Sequence, residues 1–490
     1  MSTVPVAAPV TVSPDFDSAP APAGSKHVRW SPALWGALFV LCGALFLDGL
    51  DVSMVGVALP SIQADLGLST SSLQWVVSGY ILGYGGLLLL GGRAADLLGR
   101  RQVFLIAIAV FAVASLLGGL VDDGTLLIAT RFVKGLSAAF TAPAGLSIIT
   151  TTFPEGPQRN RALSIYTLFG ASGFSMGLVL GGLMTQIGWR WTFLLPAPIA
   201  LIVFLAGLKL IPNHGRPEQR GGYDVGGAVT ASAAMLLLVY TVVQAPYTGW
   251  LTFRTLGQLA VVVGLLAAFG WIEHRSAHPL VRVGIFRHGP LLRANLIAIV
   301  GLGSYVSFQF ITALYLQNLL HWSPLKMALA LLPGGLVVLA GSQFVDKIID
   351  RFGSAPVIAA GMTAFLLGYV WFLRLGPEPE YASLLLPTML LIGVGFGLSF
   401  PALNVQATNG VVDEEQGMAA GILQTAFQVG GAVILAVVTA VVVAANAPAG
   451  NPAATLASYR PALGVVVGVA AVAALIGLSG LLRRRQRQLA

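Results

Sequence analysis

Polar positions in this chain come in short clusters, separated by long stretches in which nearly every position is apolar. The apolar runs lie near residues 33–58, 73–92, 103–121, 125–150, 163–187, 192–211 and 225–243, and then near 256–272, 294–319, 328–349, 356–373, 384–403, 417–445 and 463–482. Each is close to the ~20 residues that carry an α-helix across a bilayer core. Lipid offers no partner to an unpaired backbone group, and a membrane β-barrel would show alternating segments of about ten residues instead. The pattern therefore predicts an all-α integral membrane protein of fourteen spans with both termini on one side.

Composition narrows the reading further. Of 490 residues, 56% are hydrophobic and only 9% charged, with a mean hydropathy of +0.84, so the chain cannot be a string of soluble domains. Fourteen spans use roughly 280 residues and leave about 210 for tails and connections, too few in any one loop for a nucleotide-binding domain. Twenty of the 27 Lys and Arg residues fall on the face shared with the termini and five on the opposite face. The positive-inside rule then makes both termini cytoplasmic in a multi-pass protein of the cell membrane. The same asymmetry accounts for the net charge of +8 without a nucleic-acid partner. Residues 1–30 read as a disordered, uncleaved tail, and the basic segment 483–490 as a tail resting on anionic lipid headgroups.

An internal repeat organises the spans. Gly92-Arg-Ala-Ala-Asp96-Leu-Leu-Gly99-Arg100-Arg101 follows span 2, and Asp346-Lys-Ile-Ile-Asp350-Arg351-Phe-Gly353 follows span 10, with Asp96 and Asp350 254 residues apart. Residues 31–211 and 294–482 would then be two six-helix bundles in parallel arrangement, with two inserted helices at 212–272 and a cytoplasmic connection at 273–293.

Four charges fall within the hydrocarbon, away from the ends of the runs: Asp48 and Asp51 in span 1, Arg131 and Lys134 in span 4, each pair spaced to share one helical face. Intramembrane charges are costly and default to function. Counting from Pro60 and Gly124 at the outer ends, at ~1.5 Å per residue, Asp51 and Arg131 lie about 13 and 10 Å deep, and Asp48 and Lys134 about 18 and 15 Å. These depths predict an Asp51–Arg131 pair and a separate Asp48–Lys134 pair. Two carboxylates one turn apart beside two bases form a group poised to exchange a proton. Gly173, Gly177 and Gly181 bare one face of span 5 for close helix packing, or for a seam that slides. Gln309, Tyr315, Gln424 and Gln428 are polar groups that could face a cavity or bond between helices.

Catalytic signals fail on context. Gly173-Phe-Ser175-Met-Gly177 fits a nucleophile elbow but sits mid-span. His274 and His278 have no third metal ligand nearby, none of the five lysines sits in a phosphate-binding loop, and the single Cys42 allows no intrachain disulfide. No metal, cofactor or enzyme activity is expected.

Four stretches together resemble the fourteen-helix drug:proton antiporter family of the major facilitator superfamily. They are Leu50-Asp51-Val-Ser-Met-Val-Gly56-Val-Ala58-Leu59-Pro60, the Gly92–Arg101 loop motif, Arg131-Phe-Val-Lys134-Gly135, and Gly173-Phe-Ser-Met-Gly177-Leu178-Val-Leu-Gly181-Gly182. The chain departs from the family at Gly56 for Asn, Lys134 for Gln and Leu178 for Pro, and the second loop motif lacks its first Gly and trailing bases. The resemblance implies a monomeric transporter that binds a small lipophilic or cationic drug between the halves and exports it on the proton gradient, without ATP. Transport of a lipid or metabolite, by symport, is the alternative. In this reading Asp51 is the main proton carrier, Asp48 a second carboxylate and Arg131 the counter-charge. Asp96, Arg100 and Arg101, with Gly92, Gly99, Asp350 and Arg351 in the paired motifs, form a conformational latch.

Overall fold

The computed structural model describes residues 30–489 apart from 155–156, 214–223, 277–283, 286–287, 343, 410, 412 and 446–451. The first seven helices are α1 (Pro32–Leu66), α2 (Thr70–Leu98), α3 (Arg100–Leu120), α4 (Gly124–Thr152), α5 (Pro157–Ile187), the single turn α6 (Trp191–Leu194) and α7 (Pro196–Leu210). Next come α8 (Val225–Thr248) and α9 (Phe253–Arg275). The remainder comprises α10 (Gly289–Ala313), continued by a π-helical turn at Leu314–Leu319, then α11 (Pro324–Gly341), α12 (Val345–Phe352), α13 (Ser354–Phe372), α14 (Leu386–Thr408), α15 (Asp413–Ala444) and α16 (Pro452–Leu489). No strand occurs among the described residues.

Thirteen of these segments, among the described residues, are long and apolar enough to cross a membrane. The remaining predicted run, 73–92, lies within α2. Caps explain several boundaries. Ser31, Ser69, Asp123 and Ser323 each accept a hydrogen bond from the first turn of the helix that follows them. The backbone of Gly67, at φ 60°, closes α1 in the left-handed region.

Three boundaries differ from the sequence pattern. Pro60 does not end span 1, because α1 carries it internally and runs on to Leu66. The stretch 92–101 is not an open loop: α2 extends to Leu98 and α3 begins at Arg100, leaving Gly99 as the whole joint, at φ 96°. The run 328–349 is broken at Gly341, and residues 345–352 form a short amphipathic helix that buries Val345 and Ile349 and exposes Asp350 and Arg351. Gly353, at φ 85°, then joins α12 to α13 as Gly99 joins α2 to α3. Only a glycine adopts such backbone angles at no steric cost, which is why both copies of the motif end on one.

Packing repeats between the halves. α1 lies on α5 and α7, α2 on α4, and α3 on α4 and α7; correspondingly α10 lies on α15 and α16, α11 on α14, and α13 on α14 and α16. The halves meet where α5 touches α11 and α2 touches α15, and α8 fills the flank of that second seam against both α2 and α15. α9 packs chiefly on α8 and turns Phe253, Val263 and Trp271 outward, as a lipid-facing helix does.

The span-5 glycines bring α5 into close contact with α1. A Cβ at Gly173 would collide with the Phe46 carbonyl oxygen, at Gly177 would lie 2.6 Å from Leu50 O, and at Gly181 2.8 Å from Met54 Cα. All three face α1 inside one bundle, so they do not form a seam that slides between halves. Gly182 alone turns to the other half, where a Cβ would stand 2.8 Å from Leu325 Cα. We therefore expect Gly173→Ala to force α1 and α5 apart and lower the melting temperature of the detergent-solubilised protein, at a cost of about 1–3 kcal/mol. Gly257→Ala, in α9 with no atom near the added methyl, should leave the melting curve in place. Equal melting temperatures for the two variants would refute the close-packing account.

Candidate functional site

The four intramembrane charges converge. α1 carries Asp48 and Asp51 on one face and α4 carries Arg131 and Lys134 on another, and the two faces meet inside the first half. Gly135 makes the approach of α4 to its other neighbour possible, since any side chain there would collide with the backbone of Tyr80 on α2. Held this close, Arg131 donates from Nε to Val76 O at 3.0 Å and places its guanidinium 4.7 Å from the centre of the Tyr80 ring.

The pairing differs from the depth argument. Arg131 Nη1 donates to Asp51 Oδ2 and Lys134 Nζ to Asp51 Oδ1, so one carboxylate holds both bases. Asp51 and Lys134 are fully buried and Arg131 nearly so. The Asp48–Lys134 pair is not formed, because Lys134 turns instead to the carboxylate that Arg131 already holds. Its ammonium lies 4.7 Å from the centre of the Phe111 ring and 5.2 Å from that of Phe193, a setting in which ring faces partly replace water. Asp48 makes no ion pair or hydrogen bond with the described residues, and its environment includes Asp51, Lys134, Tyr80, Tyr84 and Tyr166. With every group ionised the cluster sums to zero; protonation of Asp48 makes it +1.

The other sequence candidates are dispersed. Gly92 faces Pro143 of α4 across ordinary van der Waals contact. Arg101 donates to Leu208 O at 2.6 Å and so caps the C-terminal end of α7, a favourable place for a cation. Arg100 is half-buried at the start of α3, and the side chain of Asp96 lies outside the described residues. Asp350 and Arg351 are exposed on α12. Tyr315 is fully buried and donates to Gly376 O at 2.6 Å, which ties it to the connection after α13 and removes it from any cavity. Gln309 donates to the Tyr305 hydroxyl at 3.3 Å. Gln424 is partly buried, and Gln428 sits in the α2–α15 seam, 2.5 Å from where a Cβ on Gly85 would be.

Sequence reasoning missed the contacts that close one face. Gln317, nine-tenths buried in the π turn, donates to Val57 O at 2.8 Å, and Asn318 donates to Gln63 Oε1 at 3.0 Å. Both join the second half to the far end of α1, opposite the Gly99 and Gly353 joints. The adjacent amides at the end of the run 294–319 were the available signal. On the same face Arg190 bridges Asp65 and Asp122 while Trp189 Nε1 donates to Asp65 at 2.8 Å, clamping the end of α1 to the α3–α4 and α5–α6 connections.

Because Asp51 holds both bases, Asp51→Asn should be poorly tolerated. It leaves two buried cations facing each other, and breaking such a buried pair costs about 3–5 kcal/mol when the site is dry. Adding Lys134→Gln should recover much of the lost melting temperature, and joining Asp48→Asn to Lys134→Gln, which keeps the cluster neutral, should likewise cost less than the sum of the two single losses. Thermal unfolding of the single and double variants measures both couplings, and an Asp51→Asn protein as stable as the wild type would refute the hub.

Comparison with known proteins gives this architecture a family. The model of the Major Facilitator Superfamily matches residues 41–435. The chain is 38% identical over 413 residues to the puromycin resistance protein pur8 of Streptomyces alboniger, covering 83% of this chain and 81% of that one. It is 39% identical over 410 residues to the cephamycin export protein CmcT of Amycolatopsis lactamdurans, covering 82% and 83%. Its backbone resembles that of the solved POT family transporter PepTSo with a TM-score of 0.67 at 18% identity, over 92% of this chain and 98% of that one, a likeness of fold alone. With the matching family model, the relatives alike over most of their length and the repeated six-helix packing, the chain belongs to the Major Facilitator Superfamily as a multi-pass membrane transporter.

Proposed function

We propose that this transporter exports lipophilic or cationic antibiotics and drugs across the cell membrane and is driven by protons moving the other way, with no ATP-binding domain and no cofactor. The relatives support export, since their names record resistance to puromycin and export of cephamycin. The observation that carries proton coupling is the buried Asp51–Arg131–Lys134 cluster with Asp48 beside it. No other charge is buried in the membrane-spanning part of either bundle among the described residues.

The arrangement divides the work between the two carboxylates differently from the family expectation. Asp51, sealed between two bases, acts as the fixed counter-charge, and Asp48, without a base of its own, exchanges the proton. Protonation of Asp48 turns the neutral cluster into a cation. A buried net charge is expensive, so the cluster then favours the conformation in which it is better hydrated. Gating follows as a population shift between two states of the halves. Both termini are cytoplasmic in this reading, which rests on the twenty-to-five distribution of basic residues. Arg100 and Arg101, with Asp96, act as the latch on that side, and the protein works as a monomer.

Proteoliposomes with an imposed pH gradient test the reading. Wild-type vesicles should accumulate puromycin when the gradient is applied and release protons when the drug is added. Asp48→Asn should abolish drug-linked proton movement while leaving the protein folded. Proton movement undiminished in Asp48→Asn would reject Asp48 as the exchanging group, and drug uptake indifferent to the gradient would reject proton coupling.

A further inference from the structure

The first half carries a recess on its outer flank that neither the charge cluster nor the contact between the halves uses. α3 and α7 lie side by side there, and both pack against helices of the first half. Between them runs a groove of about 520 Å³, within the ~300–1,000 Å³ usual for small-molecule sites. Its walls are Leu105, Ile106 and Ala109 of α3 and Phe204 and Leu208 of α7, while Arg101, Gln102 and Asn213 form one polar end. From Arg101 to Val110 it follows α3 over ~13 Å of helix. Ile106 and Leu208 on the rim are exposed. Gly207 and Leu105 are buried and in contact, since a Cβ on the glycine would stand 2.8 Å from Leu105 Cδ2, and this contact gives the groove its floor. The recess thus has a floor, two apolar walls and one polar end, and it opens sideways, where the bilayer lies.

Charge at the polar end is positive and incompletely balanced. Arg101 donates from Nη2 to Leu208 O at 2.6 Å, and its Nε has no hydrogen-bond partner among the described residues. Lys209, exposed in the last turn of α7, adds a second cation at this end, and no acidic residue lines the groove among the described residues. Arg101 stands two residues before the apolar run that begins at 103, so its guanidinium lies at the boundary of the hydrocarbon, the level of lipid headgroups. α3 starts there without a side-chain cap, and the positive end of its dipole favours an anion at the same place. The negative end of the α7 dipole opposes this, but Arg101 and Lys209 cover it. A soluble anion would meet the cations and leave the apolar walls unused, and a wholly apolar molecule would leave the cations unmatched. An amphiphile with an anionic head uses both.

We propose that this groove binds an anionic phospholipid of the membrane that the protein spans. The phosphate accepts hydrogen bonds from Arg101, whose planar fork suits phosphate oxygens, with Lys209 and the Gln102 amide beside it. One acyl chain lies along Ile106, Ala109 and Phe204. An ordinary boundary lipid meets a smooth apolar surface; this one meets a recess and a cation held at a fixed spacing by the same two helices. Once bound, it ties the start of α3 to the end of α7, immediately after the Gly99 joint. The consequence for transport rests on the reading above: Arg101 belongs to the latch, so a headgroup that engages it makes the latch depend on the anionic lipid content of the membrane. Binding itself is independent of that reading.

Native mass spectrometry of the detergent-solubilised full chain tests the site without requiring transport. Titrated with dipalmitoyl phosphatidylglycerol, the wild type should retain a lipid about fivefold more tightly than with phosphatidylcholine of the same chains. Arg101→Gln removes the charge and should lower phosphatidylglycerol affinity by about fivefold. Ala109→Phe fills the groove, leaves the cation in place and should weaken the same lipid at least as much. Val113→Phe, on the exposed surface of α3 beyond the groove, should leave binding unchanged. Equal affinity for the two lipids, unaltered phosphatidylglycerol binding in both Arg101→Gln and Ala109→Phe, or a loss in Val113→Phe as large as theirs would overturn the site. Gradient-driven transport indifferent to phosphatidylglycerol content, with the binding results as expected, would instead reject the link to the latch and leave the lipid site standing.

Discussion

A carboxylate shared by two buried bases is the interaction around which the first half is arranged. In hydrocarbon an unpaired ionised side chain is costly, so Asp51, Arg131 and Lys134 are drawn together, and their meeting fixes the rotation of α1 against α4. That rotation has consequences along both helices. On α1 it turns the backbone of Phe46, Leu50 and Met54 towards the bare glycines of α5. On α4 it brings Gly135 against α2, which supplies Val76 O and the Tyr80 ring to Arg131. Electrostatics sets the orientation, and small residues allow the distance.

The two halves share a packing plan and differ in chemistry. Equivalent helices touch equivalent partners, and a glycine of positive φ closes the repeated motif in both. Yet charge is concentrated in the first half, and a row of aromatic rings runs through the second and ends on Phe174 of the first. Between them the contact is made of apolar seams, with amide hydrogen bonds from Gln317 and Asn318 on one face. Two bonds of this kind, each worth about 0.5–1.5 kcal/mol net, are strong enough to favour a closed face and weak enough to open.

Lys134 illustrates how a departure from a family pattern becomes intelligible. A neutral residue there would leave Asp51 and Arg131 as a simple pair; a lysine adds a charge that must be balanced, and Asp48 supplies the balancing carboxylate one turn away on α1. The four residues therefore form one electrically neutral unit, although only Asp51 is in direct contact with the bases.

Hydropathy and the cost of unpaired backbone in lipid were enough to make the chain an all-helical membrane protein, to place most of its spans, to expose its repeat and to single out the four buried charges. Those features follow from local composition, since a run of apolar residues has one stable form in a bilayer. Which base binds which carboxylate was decided by tertiary structure alone, because counting residues along two helices gives depth and not the rotation of one helix about its axis. The same limit hid the ring row of Tyr305, Phe396 and Phe400, whose members come from separate helices and look in sequence like ordinary apolar positions. It also sent Tyr315 to a buried backbone contact and Gly182, unlike the three glycines before it, to the other half. Periodicity names a face of a helix, and only packing determines what that face meets.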